Sequence, residues 1–478
     1  MTEVDWTQRG PLVDKWPIAY ASEADQRAYG RQTRRRVSRR SLAELVPGEQ
    51  DAVSILRGQE ANRIAELIPL RYARMLVSPF TFYRGAAAVM AADLGGGPRS
   101  DLFVQLCGDA HLDNFGLFAS PERRLMFDLN DFDETYPGPF EWDVKRLAAS
   151  FDIAMRQAGF GPAEREPVVL AAASAYRRRM RRYAGRTSRE VFYSHIDIDA
   201  VLASRPEGAT KEEFAAASKT VAKARSRDTM QAVRKLTETV DGRPRFVSQP
   251  PVLVPLAELM PTADQNELMA WIAMLLAGYA QTLSADRRRL LQQYHLVEVA
   301  RRVVGVGSVG TAAWVVLLTG ANDADAVILQ AKEAQESVLA PYLAGPRISH
   351  QGQRVVEGQR LMQAFGDPML GWREAVTLGG TRRDYYLRQF RDWKGSFDSQ
   401  EMTVRQLTFY ARACGQTLAR AHARSGDRMA IAAYLGGGDA FDRAILAFAT
   451  AYADKNEADY AALRAAADSG AITVAPEP

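Results

Sequence analysis

The sequence predicts an α+β protein, rich in helix at both ends with a small antiparallel strand module in between. Three observations predict it. A length of 478 residues exceeds what one hydrophobic core usually supports, which points to two lobes. Apolar residues recur at helical spacing over 51–76, 141–158, 163–184, 211–239, 262–300 and 401–466. The pattern then changes at RRVVGVGSVGTAAWVVLLTG (301–320), where two β-branched runs flank glycines, a hairpin signature.

Taken in order, residues 1–50 form a polar lead-in containing a basic cluster, RQTRRRVSRRS (31–41). That cluster reads either as an arm for phosphate or nucleic acid, or as a solvated, partly disordered lead-in. FTFYRGAAAVMAADL (80–94) reads as a strand or turn running into a helix, closed by GGGP. DLFVQLC (101–107) and LMFDL (125–129) are short apolar runs expected as buried strands. DGRPRFVSQPPVLVP (241–255) is the best internal boundary. DAVILQAK (325–332) and RDYYLRQFRDW (383–393) supply further strands. The expected organisation is a helical lobe at 51–300, a β-rich lobe at 301–396, and C-terminal helices at 397–478 that return to the first lobe.

Composition removes several classes. The apolar fraction of 47% and charged fraction of 25% are ordinary for a globular chain. Lys+Arg exceeds Asp+Glu by four, 61 against 57, which argues against a dedicated nucleic-acid binder. Two cysteines, Cys107 and Cys414, cannot build a disulfide framework or a cysteine-rich zinc site. The N-terminus has no apolar signal core, and the most apolar runs fall short of the ~20 residues a membrane span needs. A cytoplasmic location without membrane association is the expectation.

The densest chemistry lies in GDAHLDNFG (108–116) and FDLNDFDETYPGPFEWDVKRLA (127–148). A strand ending at Cys107 would deliver Asp109 into a loop, with Asn114 five residues on and Asp131 heading the loop after the next strand. Phosphoryl transfer needs such a set. One carboxylate orients the attacking hydroxyl, while an amide oxygen and a second carboxylate hold magnesium. Taken as single residues, Asp113 and Glu134 read as turn or cap residues. Tyr72, Phe80, Phe82 and Tyr83 read as core.

GDAHLDN resembles the GDxHxxN catalytic loop of aminoglycoside and choline phosphotransferases, relatives of the protein kinases. DFDETYPGPFEWDVKRLA is similar to the metal motif that follows it there, with Asp131, Gly138 and Asp143 at matching intervals. SPFTFYRG (78–85) through CGDAHLDNFG to NDFDETYPGPFEWDVKRLAAS (130–150) closely resembles a bacterial domain-of-unknown-function family of the protein-kinase-like superfamily, and that match covers most of the chain. The resemblance implies a kinase-like two-lobe fold that uses ATP and Mg²⁺. It implies Asp109 as catalytic base, Asn114 and Asp131 as magnesium ligands, and His111 as a loop-shaping residue. Asp133, Asp128 and Asp113 stand as reserve carboxylates, Asp133 foremost as a metal ligand, and Asp143 as an organiser of the loop.

The chain departs from the family order. No lysine occurs between Lys15 and Lys145, so the usual phosphate-gripping lysine cannot precede the catalytic loop. Gly305, Gly307 and Gly310 instead form GVGSVG later in the chain, and Lys332 ends VILQAK. Glu357 lies on a helix at 350–365 and could hold that lysine, with Glu336 as the nearer competitor and Lys394 as the alternate cation. The order would then be circularly permuted, with nucleotide-lobe elements last. GVGSVG reads first as a phosphate lid, and also fits a plain hairpin turn or a dinucleotide turn. Arg71, Arg74 and Arg84 read either as anion contacts or as solvated helix residues.

The expected activity is ATP- and Mg²⁺-dependent phosphoryl transfer to the hydroxyl of a small-molecule acceptor. The alternatives are a nucleotide-binding pseudokinase, a metal-dependent phosphohydrolase and an AMP transferase.

Overall fold

The structure is a computed structural model that describes residues 21–203, 211–227, 229–240, 242–303, 305–322, 325–345, 348–376, 380–390, 393, 395 and 397–476. Its class is α+β. Helices form the larger part, and every paired strand is antiparallel.

Four short strands lie within the helical body: β1 (Phe103–Leu106), β2 (Phe115–Ala119), β3 (Leu125–Leu129) and β4 (Tyr136–Pro139). β1 pairs with β4 and β2 with β3. A small hairpin follows, made of β5 (Thr237–Val240) and β6 (Arg243–Phe246). The remaining six strands are β7 (Leu253–Pro255), β8 (His295–Arg302), β9 (Ala313–Thr319), β10 (Ala326–Ala334), β11 (Gly371–Val376) and β12 (Arg382–Gln389). They form one sheet in the order β11-β12-β10-β9-β8-β7.

Side chains on this sheet divide by alternation. Val316, Leu318, Val327 and Leu329 pack under the Gln265–Ala280 helix with Leu268, Ile272 and Tyr279. Val315, Leu317, Ala326 and Ile328 face the other way, against Val233 and Phe246. Both faces are covered, which is why β9 and β10 read as unbroken apolar runs. The face of β10 that carries Ala326 and Ile328 continues to Gln330 and Lys332, where its residues turn polar and line a cleft.

The helical body has its own core. The Glu141–Gln157, Pro162–Tyr183, Val404–Ser425 and Ala440–Asp468 helices enclose β1–β4. In Val404–Ser425 the buried residues Leu407, Tyr410, Ala411, Cys414, Leu418 and Ala421 recur at helical spacing. A Cβ on Gly415 would meet the Ala172 carbonyl oxygen at 2.3 Å, so the glycine sets how closely two of these helices approach.

Several elements differ from the sequence reading. FTFYRG is helix over Pro79–Gly85, because Ser78 and Thr81 cap it reciprocally and Pro79 pre-sets the first turn, overriding aromatic strand preference. The helical stretch expected over 262–300 ends at Leu291, and β8 takes the rest. The stretch at 211–239 breaks into Lys211–Ser226 and Thr229–Leu236 before β5. The basic cluster is not an extended arm over its described residues. It lies largely on the Glu23–Arg36 helix, where Gly30 sits against Ala430, Arg36 pairs with Asp101 at 3.2 Å, and Arg39 donates to the Leu435 carbonyl at 2.6 Å. Residues 1–20 lie outside the described residues. No described helix is long and apolar enough to cross a membrane.

Candidate functional site

Strand pairing gathers the motif residues. Leu106 opposes Tyr136, so the chain leaving β1 runs beside the chain entering β4. Phe115 opposes Leu129, which sets Asn114 opposite Asn130, and the Asn130 N–H donates to the Asn114 carbonyl at 2.9 Å. Gly108 makes the turn into Asp109 with φ +84°, and a Cβ there would lie 2.1 Å from the Glu134 carbonyl oxygen. Asp143 braces this loop. Its carboxylate accepts the N–H groups of Cys107 (2.8 Å) and Gly108 (3.1 Å), and Oδ2 is 3.1 Å from His422 Nε2. Asn114 Nδ2 donates to the Asp109 carbonyl at 2.7 Å, which directs the amide's other end, Oδ1, away from Asp109.

Lys332 reaches this cluster from the sheet. Its Nζ lies 2.8 Å from Asp133 Oδ2 and 3.7 Å from Asp131 Oδ2. Burial alone would lower its proton affinity, but Asp131 and Asp133 outweigh burial and hold the ammonium firmly charged. Asp133 shows the mirror effect. Burial would raise its carboxyl, yet Lys332 and the hydrogen bonds from Lys332 and Tyr386 keep it below the usual carboxylate range. Arg388 stands nearby and donates to the Asn130 carbonyl at 3.2 Å.

Asp109 is held differently. Arg146 Nε donates to its Oδ1 at 2.6 Å, while His111 Nε2 lies 3.7 Å from Oδ2. Arg146 is buried, stacks 4.1 Å over the Tyr83 ring and donates to the Tyr83 carbonyl at 2.9 Å. Burial opposes its charge, but Asp109 more than compensates. His111 is buried with no partner on Nδ1 among the described residues, and burial together with Arg84 and Arg146 pushes it well below the ordinary imidazole value. It is therefore neutral at physiological pH.

Of the reserve carboxylates, Asp113 pairs with Arg84 at 3.2 Å. Asp128 is buried, bound to Arg420 at 2.5 Å and to the Ala364 N–H at 2.9 Å, and is structural.

The glycine segment 305–310 joins β8 to β9 and is fastened to the helical body. Arg74 donates to the Gly305 carbonyl (2.7 Å), Arg63 to those of Gly307 (2.9 Å) and Val309, and the Ile64 N–H to that of Gly310 (2.7 Å). Gly305 and Ser308 line the cleft. Arg71 is fully buried and bonded to Gln59, so it reads no ligand.

The expected pairing of Lys332 with Glu357 is not formed among the described residues. Glu357 accepts from Gln353 Nε2 at 2.6 Å, one helical turn away, and Lys332 turns to Asp133 and Asp131. Glu336 is exposed, and Lys394 lies outside the described residues. The helix expected to supply Glu357 does engage the site, through Arg354. Its buried guanidinium donates to the carbonyls of Asp133 (2.9 Å), Thr135 (2.6 Å) and Gln335 (2.8 Å), tying the Asp131–Thr135 loop to the end of β10. Sequence reasoning passed over Arg354, Arg146, Tyr386 and Arg388. A buried-arginine signal was present for Arg146, three residues after Asp143 on an apolar helix, but nothing local names its partner.

These groups border a cleft of about 1930 Å³. Asn114, Asp131, Lys332 and Arg388 line it, together with Arg74 and Arg84. Asp109 is not among the lining residues, and its side chain is 21% exposed. Among the described residues no group of three or more His, Cys, Asp or Glu is gathered for a metal ion. Asn114 and Asp131 offer one amide oxygen and one carboxylate. That set fits magnesium, which keeps several waters and is bound through one or two carboxylates plus substrate phosphates.

The profile of a bacterial family, described as uncharacterized protein conserved in bacteria (DUF2252), matches residues 63–466. The chain belongs to this family. The match in this DUF2252 protein takes in every residue of the cleft cluster, from Arg74 through Arg388. No curated protein and no solved structure matches it.

Proposed function

We propose that this DUF2252 protein is an ATP- and magnesium-dependent phosphotransferase that acts on the hydroxyl of a small-molecule acceptor, with a kinase-like two-lobe fold in circularly permuted order. One observation carries the reading: Lys332 Nζ lies 3.7 Å from Asp131 Oδ2. The two residues come from opposite ends of the sequence pattern, and one triphosphate would require them within about 10 Å. The permutation draws support from a second contact. The Gln105 N–H donates to Ser425 Oγ at 3.1 Å, so the Val404–Ser425 helix ends against the strand that leads into Asp109.

In this reading Lys332 and Arg388 bind the phosphate oxygens across the cleft. Asn114 and Asp131 would hold magnesium, which supplies charge neutralisation of the transferring phosphoryl group. Asp109 orients the acceptor hydroxyl and takes its proton on Oδ2, the oxygen that Arg146 leaves unbound. His111, neutral and buried, shapes the loop beside it.

The test is transfer of labelled γ-phosphate from ATP into a metabolite extract. Asp109→Asn is expected to abolish transfer by roughly 10²-fold or more while nucleotide affinity stays within a few-fold. Transfer undiminished in Asp109→Asn would remove Asp109 from the mechanism. A second reading, nucleotide binding without turnover, is favoured by the Arg146–Asp109 pair, which engages the proposed base. Saturable ATP binding with no consumption across the extract would select it.

A further inference from the structure

We infer that Asp133 is a positioning residue rather than a metal ligand: together with Tyr386 it holds Lys332 on the phosphates, in the place that Glu357 leaves vacant. The inference rests on the phosphotransferase reading for what Lys332 touches, and on geometry alone for what holds Lys332.

Both carboxylate oxygens of Asp133 are engaged. Oδ2 accepts from Lys332 Nζ at 2.8 Å, and Oδ1 accepts from Tyr386 Oη at 2.5 Å. Tyr386 is buried and stands directly opposite Lys332 across β10 and β12, so one strand register presents both donors together. The backbone of Asp133 is fixed as well. Its carbonyl accepts from Arg354 at 2.9 Å, and its N–H donates to Asp131 Oδ1 at 3.3 Å. A residue held at four points, two on its backbone and one on each carboxylate oxygen, is built to orient a cation already present. Asp131 Oδ2, at 3.7 Å from Nζ, is beyond hydrogen-bond length and lines the cleft. On the phosphotransferase reading Asp131, which lines the cleft, would hold the metal, while Asp133 is bonded to the lysine.

A consequence separates this site from one that uses a helix glutamate. Lys332 is tied to the same loop that carries Asp131, two residues away, so metal loop and lysine move as one body. Displacement of the Gln351–Met362 helix would not release the lysine by breaking a Lys–Glu pair.

The test compares Asp133→Asn, Tyr386→Phe, Asp131→Asn and Glu357→Gln. Calorimetry measures ATP affinity with magnesium and with chelator. Asp133→Asn is expected to weaken both by the same factor, roughly 10- to 100-fold, with Tyr386→Phe weakening both several-fold. Asp131→Asn should weaken only the magnesium-dependent part, and Glu357→Gln neither. A loss in Asp133→Asn confined to the magnesium form would make Asp133 a metal ligand and overturn the inference.

A nucleotide-free readout keeps the two readings apart. Labelling of Lys332 by an amine-reactive ester, followed by peptide mass spectrometry, should run several-fold faster in Asp133→Asn and in Tyr386→Phe, and unchanged in Glu357→Gln. Faster labelling in a protein that binds no ATP would sink the phosphotransferase reading and leave the positioning role standing. Unchanged labelling in both Asp133→Asn and Tyr386→Phe would overturn the positioning role.

Discussion

The two ends of the carboxylate cluster are built on different chemistry. At one end Asp131 and Asp133 meet a lysine, a compact charge on a flexible stem reaching from the sheet into the cleft lining. At the other, Asp109 meets an arginine locked by a ring stack, a backbone carbonyl and a buried ion pair. A lysine ammonium can be shared with phosphate oxygens when a ligand arrives. A buried guanidinium fork is a fixed strut. On the proposed function the first end would respond to a ligand, while at the second the guanidinium fixes the loop and leaves Asp109 Oδ2 to the acceptor.

Three measurements would break or sharpen that contrast. The largest effect is expected for Arg146→Met, which leaves Asp109 with an uncompensated charge beside the core. A loss of about 3–5 kcal/mol in urea unfolding should follow, partly recovered by adding Asp109→Asn. A loss under about 1 kcal/mol would mean that Arg146 is no strut.

Next is Glu134, which accepts the Val338 N–H at 2.8 Å and is pushed up to about 7 by burial, with that hydrogen bond and Arg354 opposing. Its folded value exceeds the ordinary 4.5, so the folded state binds the extra proton between them. Stability should therefore fall as pH rises through that window, by on the order of 3 kcal/mol, and Glu134→Gln should flatten the slope. A slope unchanged in Glu134→Gln would assign it to other groups.

The smallest effect is expected for Asp131→Asn, whose side chain is one-third exposed and whose lysine keeps Asp133. Thermal unfolding should shift by about 1 kcal/mol or less. A loss as large as that of Arg146→Met would erase the distinction between the two ends.

Local signals carried much of this. LMFDL is a strand over the residues expected, and β10 and β12 fall on DAVILQAK and RDYYLRQ. The turns around GDAHLDN and DFDE place Asp109, Asn114 and Asp131 near one another because two short antiparallel pairs bring their ends together. Partner choice was not legible. Lys332 takes Asp133, 199 residues away, instead of Glu357, because strand register and helix rotation decide which carboxylate arrives, and neither leaves a local mark. Arg146 and Arg354 were hidden for the same reason. Helix patterning accounts for an arginine's face but not for the carbonyls or carboxylate it meets. The boundary near 292 was missed because HLVEVARR follows the helix ADRRRLL without a glycine or proline between them.

The distance along the chain between Asp133 and Lys332 also sets an order of events during synthesis. At ~5–20 residues per second, a ribosome needs about 10–40 s to travel from one to the other. For that interval the nascent acidic loop has no lysine. The helices 141–183 likewise wait for the 404–468 segment that completes their core. The N-terminal half therefore spends much of its birth with an unfinished apolar surface, and the chain's last hundred residues are the ones that let its first half close.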